Sequence, residues 1–247
     1  MPMPDLSIVI PAYNEATGIE GTLRDLSTYL HTMPWTWEIR VVDDGSTDGT
    51  AAAVERFALT EPRICLQREP HGGKGAAVRA GLLASTAAYR FLCDADLSMP
   101  VRELPRFMPP ALGAVDIAIG TREGAGARRV GEPPLRHLAG RGFNFAVRTL
   151  MVPGIHDTQC GFKMFTAAAV EAVFPYVTVA GWAFDIEVLY IARLRGLTIR
   201  EVPIEWHFRA DSRVRLFRDS VGMLGELLRI HARARRGGYD PRATPTP

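Results

Sequence analysis

Lysine is almost missing from this chain of 247 residues: Lys74 and Lys163 are the only two, and the other basic side chains are arginines. The net charge is +2, which is too small by itself to indicate binding to nucleic acid. The arginines are concentrated at residues 122–148 and again at 209–236. Because the planar guanidinium grips phosphate oxygens, this distribution predicts contact with phosphate or with an anionic surface in the C-terminal half.

Cysteine is also scarce. Cys65, Cys93 and Cys160 lie far apart and show no paired spacing, which argues against a disulfide framework and disfavours a zinc site. The odd count and the apolar contexts of these residues favour reduced, buried thiols. We therefore expect a cytosolic compartment.

Long apolar runs are absent as well. No stretch approaches the ~18 consecutive apolar residues of a membrane span, and the N-terminus lacks the basic and apolar regions of a signal peptide. Hydrophobic residues nevertheless make up 47% of the chain. This composition predicts a globular protein with a substantial core.

Short apolar runs alternate with helical patterns in the first half. The helical pattern is clearest where Ile19, Leu23, Leu26 and Leu30 recur. Alternation of strands and helices predicts an α/β fold with a mostly parallel central sheet covered by helices. Strands are predicted at residues 6–10, 39–42, 64–67, 91–93 and 115–119.

The composition and periodicity of the sequence change after Arg122. Residues 123–134 are rich in Gly, Arg and Pro and show no periodicity, so we predict a mobile loop there. The remaining elements are predicted as a helix at about 134–150, a turn and strand at 157–165, a helix at 183–194 and a strand at 199–208.

A last helix is predicted at residues 216–232. Its apolar stripe consists of Phe217, Val221, Leu224 and Leu228 and is flanked by Met223, Leu227 and Ile230. The proline-containing segment after it predicts disorder. We therefore expect a single domain over residues 1–236 and a disordered tail over 237–247.

Two carboxylates, Asp94 and Asp96, directly follow the apolar run at residues 91–93. Neighbouring carboxylates repel each other unless a cation or hydrogen-bond donors lie between them. Ligands bind outside the carboxyl ends of strands in open α/β sheets. A hard divalent metal that carries a phosphorylated ligand suits this position, so the pair predicts a metal–phosphate site.

Two earlier strand ends also carry polar residues. At the first, Tyr13 could stack on a base and Glu15 could accept hydrogen bonds from it; alternatively, Asn14 simply initiates a helix. At the second, Asp43 and Asp44 are adjacent. A turn and a helix cap explain the residues after them but not two neighbouring charges, so one of the two is expected to bind a ribose hydroxyl or a base N–H.

A glycine-rich segment surrounds one of the two lysines. Gly72, Gly73 and Gly75 allow the backbone to approach an anion, and a helix is predicted to begin directly after them. Lys74 at a helix start is unusual, because its charge opposes the helix dipole. The alternative interpretation is a plain loop. The phosphate-binding pattern G-x-x-x-x-G-K-[ST] is absent.

Taken in order, these motifs resemble the inverting glycosyltransferase family 2, whose members have the GT-A fold. Two further motifs, at residues 157–163 and 182–187, resemble those of polyprenyl-phosphate hexosyltransferases, which include dolichyl-phosphate β-glucosyltransferases and mannosyltransferases. The resemblance covers residues 5–230. The shared motifs are Pro-Ala-Tyr-Asn-Glu at 11–15, Val-Asp-Asp-Gly-Ser at 42–46, Gly-Lys-Gly at 73–75, Asp-Ala-Asp at 94–96, Asp-Thr-Gln-Cys-Gly-Phe-Lys at 157–163 and Trp-Ala-Phe-Asp-Ile-Glu at 182–187.

The resemblance implies a nucleotide-sugar donor, UDP-glucose or GDP-mannose, and a Mg²⁺ or Mn²⁺ ion that neutralises the departing diphosphate. Asp94 and Asp96 would hold the metal. The donor-binding residues would be Pro11, Ala12, Tyr13, Glu15, Asp43, Asp44, Lys74, Asp94, Ala95 and Asp96. The acceptor phosphate would be bound by Arg122, Arg141 and Arg213. The residues expected to be catalytic are Asp96, Arg122, Arg141 and Asp185.

The acceptor implied by the resemblance is a polyprenyl or dolichyl phosphate, which gives a β-linked lipid-phosphate sugar. A phosphate monoester is ionised near neutral pH, with a second pKa of about 6, so it can attack without a general base. A sugar hydroxyl would need one, and Asp185 is the candidate for that alternative. Otherwise Asp185 and Glu187 only favour a helix start through the dipole. A catalytically silent scaffold that binds nucleotide sugars is a third hypothesis.

The arginines around the last helix predict contact with an anionic membrane surface or with a membrane-anchoring partner. The apolar stripe of that helix is expected to pack on the sheet. No nucleic-acid partner is expected. We therefore expect a cytoplasmic protein that is peripheral at the cytoplasmic face of the membrane.

Overall fold

The computed structural model describes residues 3–133, 151–208 and 216–240, and at 216–221 and 224 it describes the backbone only. The helix predicted at 134–150 lies outside the described residues.

Strands and helices alternate through the first half as predicted. The described elements there are β1 (Leu6–Ala12), α1 (Ile19–Leu30), β2 (Trp37–Asp44), α2 (Thr50–Ala58), β3 (Ile64–Glu69), α3 (Lys74–Ala84), β4 (Tyr89–Cys93), a 3₁₀ helix (Val101–Phe107), β5 (Ile117–Thr121) and β6 (Arg128–Val130). The second half contains β7 (Phe162–Thr166), α4 (Ala167–Val173), a short 3₁₀ helix (Phe174–Tyr176), α5 (Phe184–Leu194), β8 (Ile199–Pro203), β9 (Glu205–His207) and α6 (Leu216–Arg235).

Seven of the described strands form one sheet, in the order β3-β2-β1-β4-β7-β5-β8. Neighbouring strands run parallel except at β7, which is antiparallel to β4 and β5. The prediction of a mostly parallel sheet is confirmed. Because β7 is reversed, its first residue Phe162 pairs with Cys93, the last residue of β4. The amino end of β7 therefore lies at the same edge as the carboxyl ends of the other strands.

Apolar layers cover both faces of the sheet. Successive residues of a strand point to opposite faces, so Val9 and Leu92 pack with α3, α4, α5 and α6. Ile8 and Phe91 pack with α1 and α2 on the other side. Burial on both faces explains why these strands are nearly continuous apolar runs in the sequence.

Helix α3 lies unusually close to the sheet at Gly81. A Cβ atom added there would be 2.5 Å from Cγ1 of Val9 and 2.6 Å from Cγ2 of Val42. Only a hydrogen fits at this distance. Because α3 begins at Lys74, this contact also sets how Lys74 is held relative to the edge of the sheet.

The prediction of a mobile loop at residues 123–134 is wrong at 128–130. Strand β6 forms there and pairs in parallel with β9. The strand predicted at 199–208 is divided, because the chain leaves the main sheet at Ile204. The N–H of Ile204 donates to the carbonyl of Thr121, and its own carbonyl accepts from Arg128. Pairing with a distant segment therefore orders a stretch that is too short to show its own periodicity.

The predicted C-terminal helix is present as α6, but its buried face differs from the predicted stripe. Leu228, a stripe residue, is 74% exposed, whereas Met223, Leu227 and Ile230 are buried. The side chains of the other stripe residues lie outside the described part of the chain. Two apolar stripes run side by side in the sequence, and packing on the sheet selects one of them. Neither α6 nor any other described helix is long and apolar enough to cross a bilayer.

The ordered chain extends past the predicted start of the tail. Tyr239 is buried, and its hydroxyl donates to the Glu187 carboxylate at an O–O distance of 2.6 Å. Disorder at 237–240 is therefore not observed, and residues 241–247 lie outside the described part. The boundaries of a single domain stay a prediction.

The three cysteines are free, and Cys93 and Cys160 are buried whereas Cys65 is half-buried. Burial raises the pKa of the Cys160 thiol to about 12. A buried thiol of this kind is inert at neutral pH, so Cys93 and Cys160 contribute packing to the core.

Gly81→Ala is expected to lower the free energy of unfolding by about 1–3 kcal/mol, because its methyl group overpacks the contact between α3 and the sheet. Urea denaturation would measure the change. Gly225→Ala in α6 is the matched control, since nothing lies within 4 Å of an added Cβ there. It is expected to stabilise by up to about 1 kcal/mol through helix propensity. Equal stabilisation by both changes would contradict the close packing.

Candidate active site

The predicted motifs meet along one edge of the sheet. The carboxyl ends of β1, β2, β4 and β5 and the amino end of β7 all lie there. They bring Tyr13, Asp43, Asp94 and Arg122 to the same side of the molecule. The loop before α5 closes over this edge, because the carbonyl of Ala180 accepts the Gly75 N–H at 2.7 Å.

Asp94 is confined from two sides. Its Oδ1 lies 2.6 Å from Nζ of Lys74. Its Oδ2 lies against the backbone of Gly161, where an added Cβ would be only 1.9 Å away. Asp96 is exposed, and its Oδ1 accepts the N–H of Ser98 at 2.9 Å. The first carboxylate is thus held in place while the second opens to solvent.

Lys74 remains a cation at this site. Its Nζ lies 5.3 Å from the ring centre of Trp182. Burial disfavours the charged ammonium, but Asp94 and, to a smaller extent, Asp185 and Asp96 outweigh this effect and raise the pKa of Lys74. These carboxylates also offset the unfavourable interaction between the positive charge of Lys74 and the dipole of α3.

The glycine segment does approach an anion, and that anion is Asp44. The N–H of Gly72 donates to Asp44 Oδ1 at 2.7 Å, and that of Gly73 donates to Oδ2 at 3.0 Å. Nδ1 of His71 lies 2.9 Å from Oδ2. Asp44 is buried, so its carboxylate fixes the segment that leads to Lys74. Its predicted contact with the nucleoside stays a prediction.

The first strand end is not a helix start. Asn14 has φ 52°, and its Oδ1 accepts the N–H of Thr47 at 2.8 Å, while α1 begins only at Ile19. The interpretation of Asn14 as a helix-initiating residue is therefore wrong. Tyr13 stacks on His71 with ring centres 4.2 Å apart, which places an aromatic pair at the lip of the sheet.

The other predicted donor-binding residues lie near this lip. Asp43 is buried, and its Oδ1 accepts the N–H of Ser46 at 3.2 Å. Glu15 is half-buried. The remaining ones are Pro11 and Ala12, which pair with the last residues of β2, and Ala95, whose carbonyl accepts from a threonine hydroxyl of α1 at 2.5 Å.

Arg122 is anchored by a carboxylate that the sequence did not single out as functional. Its Nε and Nη2 each lie 2.7 Å from an oxygen of Asp157, which is fully buried. Burial opposes ionisation of both groups, but their attraction raises the pKa of Arg122 and lowers that of Asp157. The guanidinium lies 5.3 Å from the ring centre of Trp206. A guanidinium has five N–H donors, so Arg122 retains donors for a phosphate.

Asp185 lies in the first turn of α5, as predicted, but it is already paired. Its Oδ1 lies 2.6 Å from Nζ of Lys163, and only 4% of the residue is exposed. Burial raises the pKa of Asp185, against the opposing effect of Lys163 and Lys74. The carboxylate is therefore poorly placed to take a proton from an acceptor in solvent.

Glu187 shapes the loop that closes over the site. Its carboxylate accepts the backbone N–H groups of Thr178 and Val179 at 2.8 and 2.7 Å. The alternative interpretation of Glu187, that it only favours a helix start, misses these contacts. Arg141 and Arg213, the other two predicted acceptor-phosphate residues, lie outside the described residues.

Sequence reasoning missed the supporting residues because their signal is tertiary. Nothing local marks Asp157 as the partner of Arg122 or Gly161 as the wall behind Asp94. Lys163 did carry a signal, since it is one of only two lysines. Lys163 also ends the motif at 157–163, but neither feature indicates its buried partner Asp185.

Asp94 and Asp96 suit a metal ion that takes most of its ligands from the substrate and not from the protein. Among the described residues, no group of three or more His, Cys, Asp and Glu side chains could hold a metal ion. Mg²⁺ usually binds through one or two carboxylates together with substrate phosphates. A pair with one confined and one open carboxylate fits that pattern.

Known proteins resemble this chain in both sequence and fold. A family model described as glycosyl transferase family 2 matches residues 7–174. A dolichyl-phosphate beta-glucosyltransferase of Trichomonas vaginalis is 38% identical over 222 residues, covering 85% of this chain and 66% of that protein. The enzyme of the same name from Dictyostelium discoideum is 32% identical over 242 residues, covering 92% and 74%. The chain thus spans about two thirds to three quarters of their length.

The fold has a solved counterpart. The crystal structure of glucosyl-3-phosphoglycerate synthase from Mycobacterium tuberculosis with Mn²⁺, UDP-glucose and phosphoglyceric acid has a TM-score of 0.66. It is 20% identical and covers 93% of this chain and 80% of its own. The sheet therefore has the GT-A-like fold that the sequence predicts. Given the family model and the two relatives, this chain belongs to glycosyl transferase family 2.

Asp157→Asn is expected to lower the free energy of unfolding by about 2–4 kcal/mol at pH 7, because it leaves the largely buried guanidinium of Arg122 without its counter-ion. The folded-state pKa of Asp157 lies below its ordinary value of 3.8. Its stabilisation is therefore complete above that value and is lost as the pH falls through the folded-state pKa. Urea denaturation of both proteins at pH 7, 5 and 3 should show their difference shrinking only below pH about 4.

Asp25→Asn, at an exposed position of α1, is the control for this measurement. It should remain within about 0.5 kcal/mol of the wild type. A wild-type advantage over Asp157→Asn that persists undiminished at pH 3 would contradict the role of the ion pair.

Proposed function

We propose that this enzyme transfers glucose from UDP-glucose to a polyprenyl phosphate such as dolichyl phosphate, with inversion at the anomeric carbon. The observation that carries the proposal is the meeting of Asp94, Asp96, Lys74 and Arg122 at one sheet edge. That edge offers carboxylates for a metal and cations for phosphates. The two relatives named dolichyl-phosphate beta-glucosyltransferase support the choice of sugar and acceptor.

The donor is bound along the first three strand ends. Tyr13 stacks on the base, and Asp43 accepts a hydrogen bond from the nucleoside. Asp94 and Asp96 would hold Mg²⁺ or Mn²⁺, which would neutralise the departing diphosphate as a Lewis acid. Lys74 is already a partly buried cation beside Asp94, and it offers a second positive charge to the diphosphate.

The acceptor phosphate is bound by arginines. Asp157 accepts hydrogen bonds from two nitrogens of the Arg122 guanidinium, whose remaining N–H groups can reach a ligand. Planar guanidinium donors suit a phosphate. Arg141 and Arg213 are proposed to complete this site. The phosphate attacks as an anion and needs no general base.

Asp185 bears on the choice of acceptor. A hydroxyl acceptor requires a base, and Asp185 is buried in an ion pair with Lys163. This arrangement supports the phosphate acceptor over the hydroxyl acceptor. The silent-scaffold hypothesis predicts donor binding without turnover, so the same assay tests it.

A donor and acceptor screen tests the proposal. With Mn²⁺ or Mg²⁺, UDP-glucose and a short polyprenyl phosphate should give a glucosyl-phosphate lipid, whereas the matched polyprenol should not react. Asp96→Asn should lower the turnover by about 10²-fold or more, because the leaving diphosphate loses electrostatic stabilisation. Thin-layer chromatography of radiolabelled lipid would quantify the product.

Three results would contradict this function. Transfer to polyprenol as fast as to its phosphate would restore the hydroxyl acceptor. Preference for GDP-mannose would overturn the choice of sugar. UDP-glucose binding without any turnover would favour the scaffold.

The acceptor's lipid chain implies that the enzyme works at a membrane, and we place it at the cytoplasmic face. The exposed side of α6 supports this placement. Leu228, Arg229 and Arg235 are exposed there, and an apolar side chain among arginines suits an anionic headgroup layer.

Replacement of Arg229 and Arg235 by glutamine is expected to weaken binding to vesicles that contain phosphatidylglycerol by roughly 30-fold, since each basic side chain near such a surface contributes about 1 kcal/mol. Vesicle flotation would measure this change. The control is the double variant Arg56→Gln with Arg63→Gln. Both arginines are exposed and lie near α2 on the other side of the sheet. Equal loss in both variants would show that the face of α6 has no special role.

A further inference from the structure

Lys163 lies in the middle of the sheet and is fully buried. It belongs to β7 and pairs with Leu92 of β4 on one side and Ile119 of β5 on the other. Burying an ammonium ion is strongly unfavourable unless it is paired and hydrogen-bonded. Apart from Lys74, the other basic side chains counted in this protein are arginines. This buried position is instead occupied by the smaller ammonium group of a lysine.

The contacts of Lys163 join two separate parts of the fold. Its Nζ lies 2.6 Å from Oδ1 of Asp185 at the start of α5. It also donates to the carbonyl of Cys160, in the turn before β7. An ammonium has three donors that point in different directions. A single atom therefore ties the start of a helix to this turn.

The turn held by Lys163 forms the wall behind Asp94. Gly161 follows Cys160 directly, and its backbone lies so close to the Asp94 carboxylate that an added Cβ would be 1.9 Å from Oδ2. Lys74 confines the other oxygen of that carboxylate at 2.6 Å. A shift of the turn would therefore move Asp94 directly.

We infer that Lys163 is a positioning residue for the metal-site carboxylate. It holds the turn at Cys160 and Gly161 against Asp94 and so fixes the orientation in which Asp94 meets a divalent cation. Asp185 belongs to the same unit as the counter-ion of Lys163. The inference rests on the proposed function, because the cation is the one expected at Asp94 and Asp96.

The choice of variant follows from the charges. Lys163→Met alone leaves Asp185 buried without a counter-ion, which is strongly destabilising. The double variant Lys163→Met with Asp185→Leu removes both charges, and a buried ion pair replaced by apolar side chains usually keeps the fold. It also removes the donor to the Cys160 carbonyl, which is the contact to be tested.

Binding of Mn²⁺ in the presence of UDP, followed by the electron paramagnetic resonance signal of free Mn²⁺, tests the inference without any turnover. The double variant should bind Mn²⁺ about 10–100-fold more weakly than the wild type, the usual effect of losing a residue that orients a metal ligand. Lys163→Arg should not restore the affinity, because the wide planar guanidinium cannot replace the ammonium in this buried space.

Phe165→Leu is the matched control. Phe165 is buried on the same strand and the same face as Lys163, so its truncation loosens the sheet without touching the turn. Its Mn²⁺ affinity should stay within about twofold of the wild type, because nothing at the metal site changes. If Phe165→Leu weakened Mn²⁺ binding as much as the double variant does, Lys163 would have only a packing role and the inference would be overturned.

The remaining outcomes separate this inference from the proposed function. Wild-type protein that binds no Mn²⁺ with UDP would overturn the proposed function, and this inference with it. Wild-type binding together with unchanged affinity in the double variant would overturn the inference alone.

Discussion

A charge buried in a protein needs an opposite charge at hydrogen-bond distance, and this requirement organises the edge of the sheet. Lys74 pairs with Asp94, Lys163 with Asp185, and Arg122 with Asp157. Each pair joins elements far apart in the chain. Because removing one partner leaves the other uncompensated, the pairs fix the relative positions of α3, α5 and the strand ends. The site is thus held by the same contacts that stabilise the fold around it.

The reversed strand β7 makes that arrangement possible. In an otherwise parallel sheet, only an antiparallel strand brings its amino end to the edge where the other strands end. Gly161 and Lys163 reach Asp94 and Asp185 through this reversal. The separate two-stranded sheet of β6 and β9 carries Trp206, whose ring lies beside Arg122. In the order of strands across the sheet, the proposed donor and metal residues lie on the β4 side of β7, and the proposed acceptor residue Arg122 lies on the β5 side.

The sequence predicted the fold class and the first five strands, because parallel strands buried on both faces are continuous apolar runs. It also predicted the boundaries at which Asp94, Lys74 and Arg122 lie: Asp94 and Arg122 directly follow strands, and Lys74 begins α3. Sequence-based prediction failed where an element is very short or where two apolar patterns overlap. β6 has three residues and depends on β9 for its hydrogen bonds, and α6 has two adjacent apolar stripes of which packing buries one.

The sequence by itself therefore determined the class of protein and the strand ends at which polar and charged side chains gather, including Asp94 and Asp96, the proposed metal ligands. Local patterns carry this information, because strand ends and glycine turns are defined by neighbouring residues. Tertiary structure alone decided which charges are paired. Asp44 holds the glycine segment and Asp185 pairs with Lys163, and no local pattern distinguishes these carboxylates from those left open to ligands. A partner that is distant in the chain becomes a partner only when the sheet brings the two side chains together.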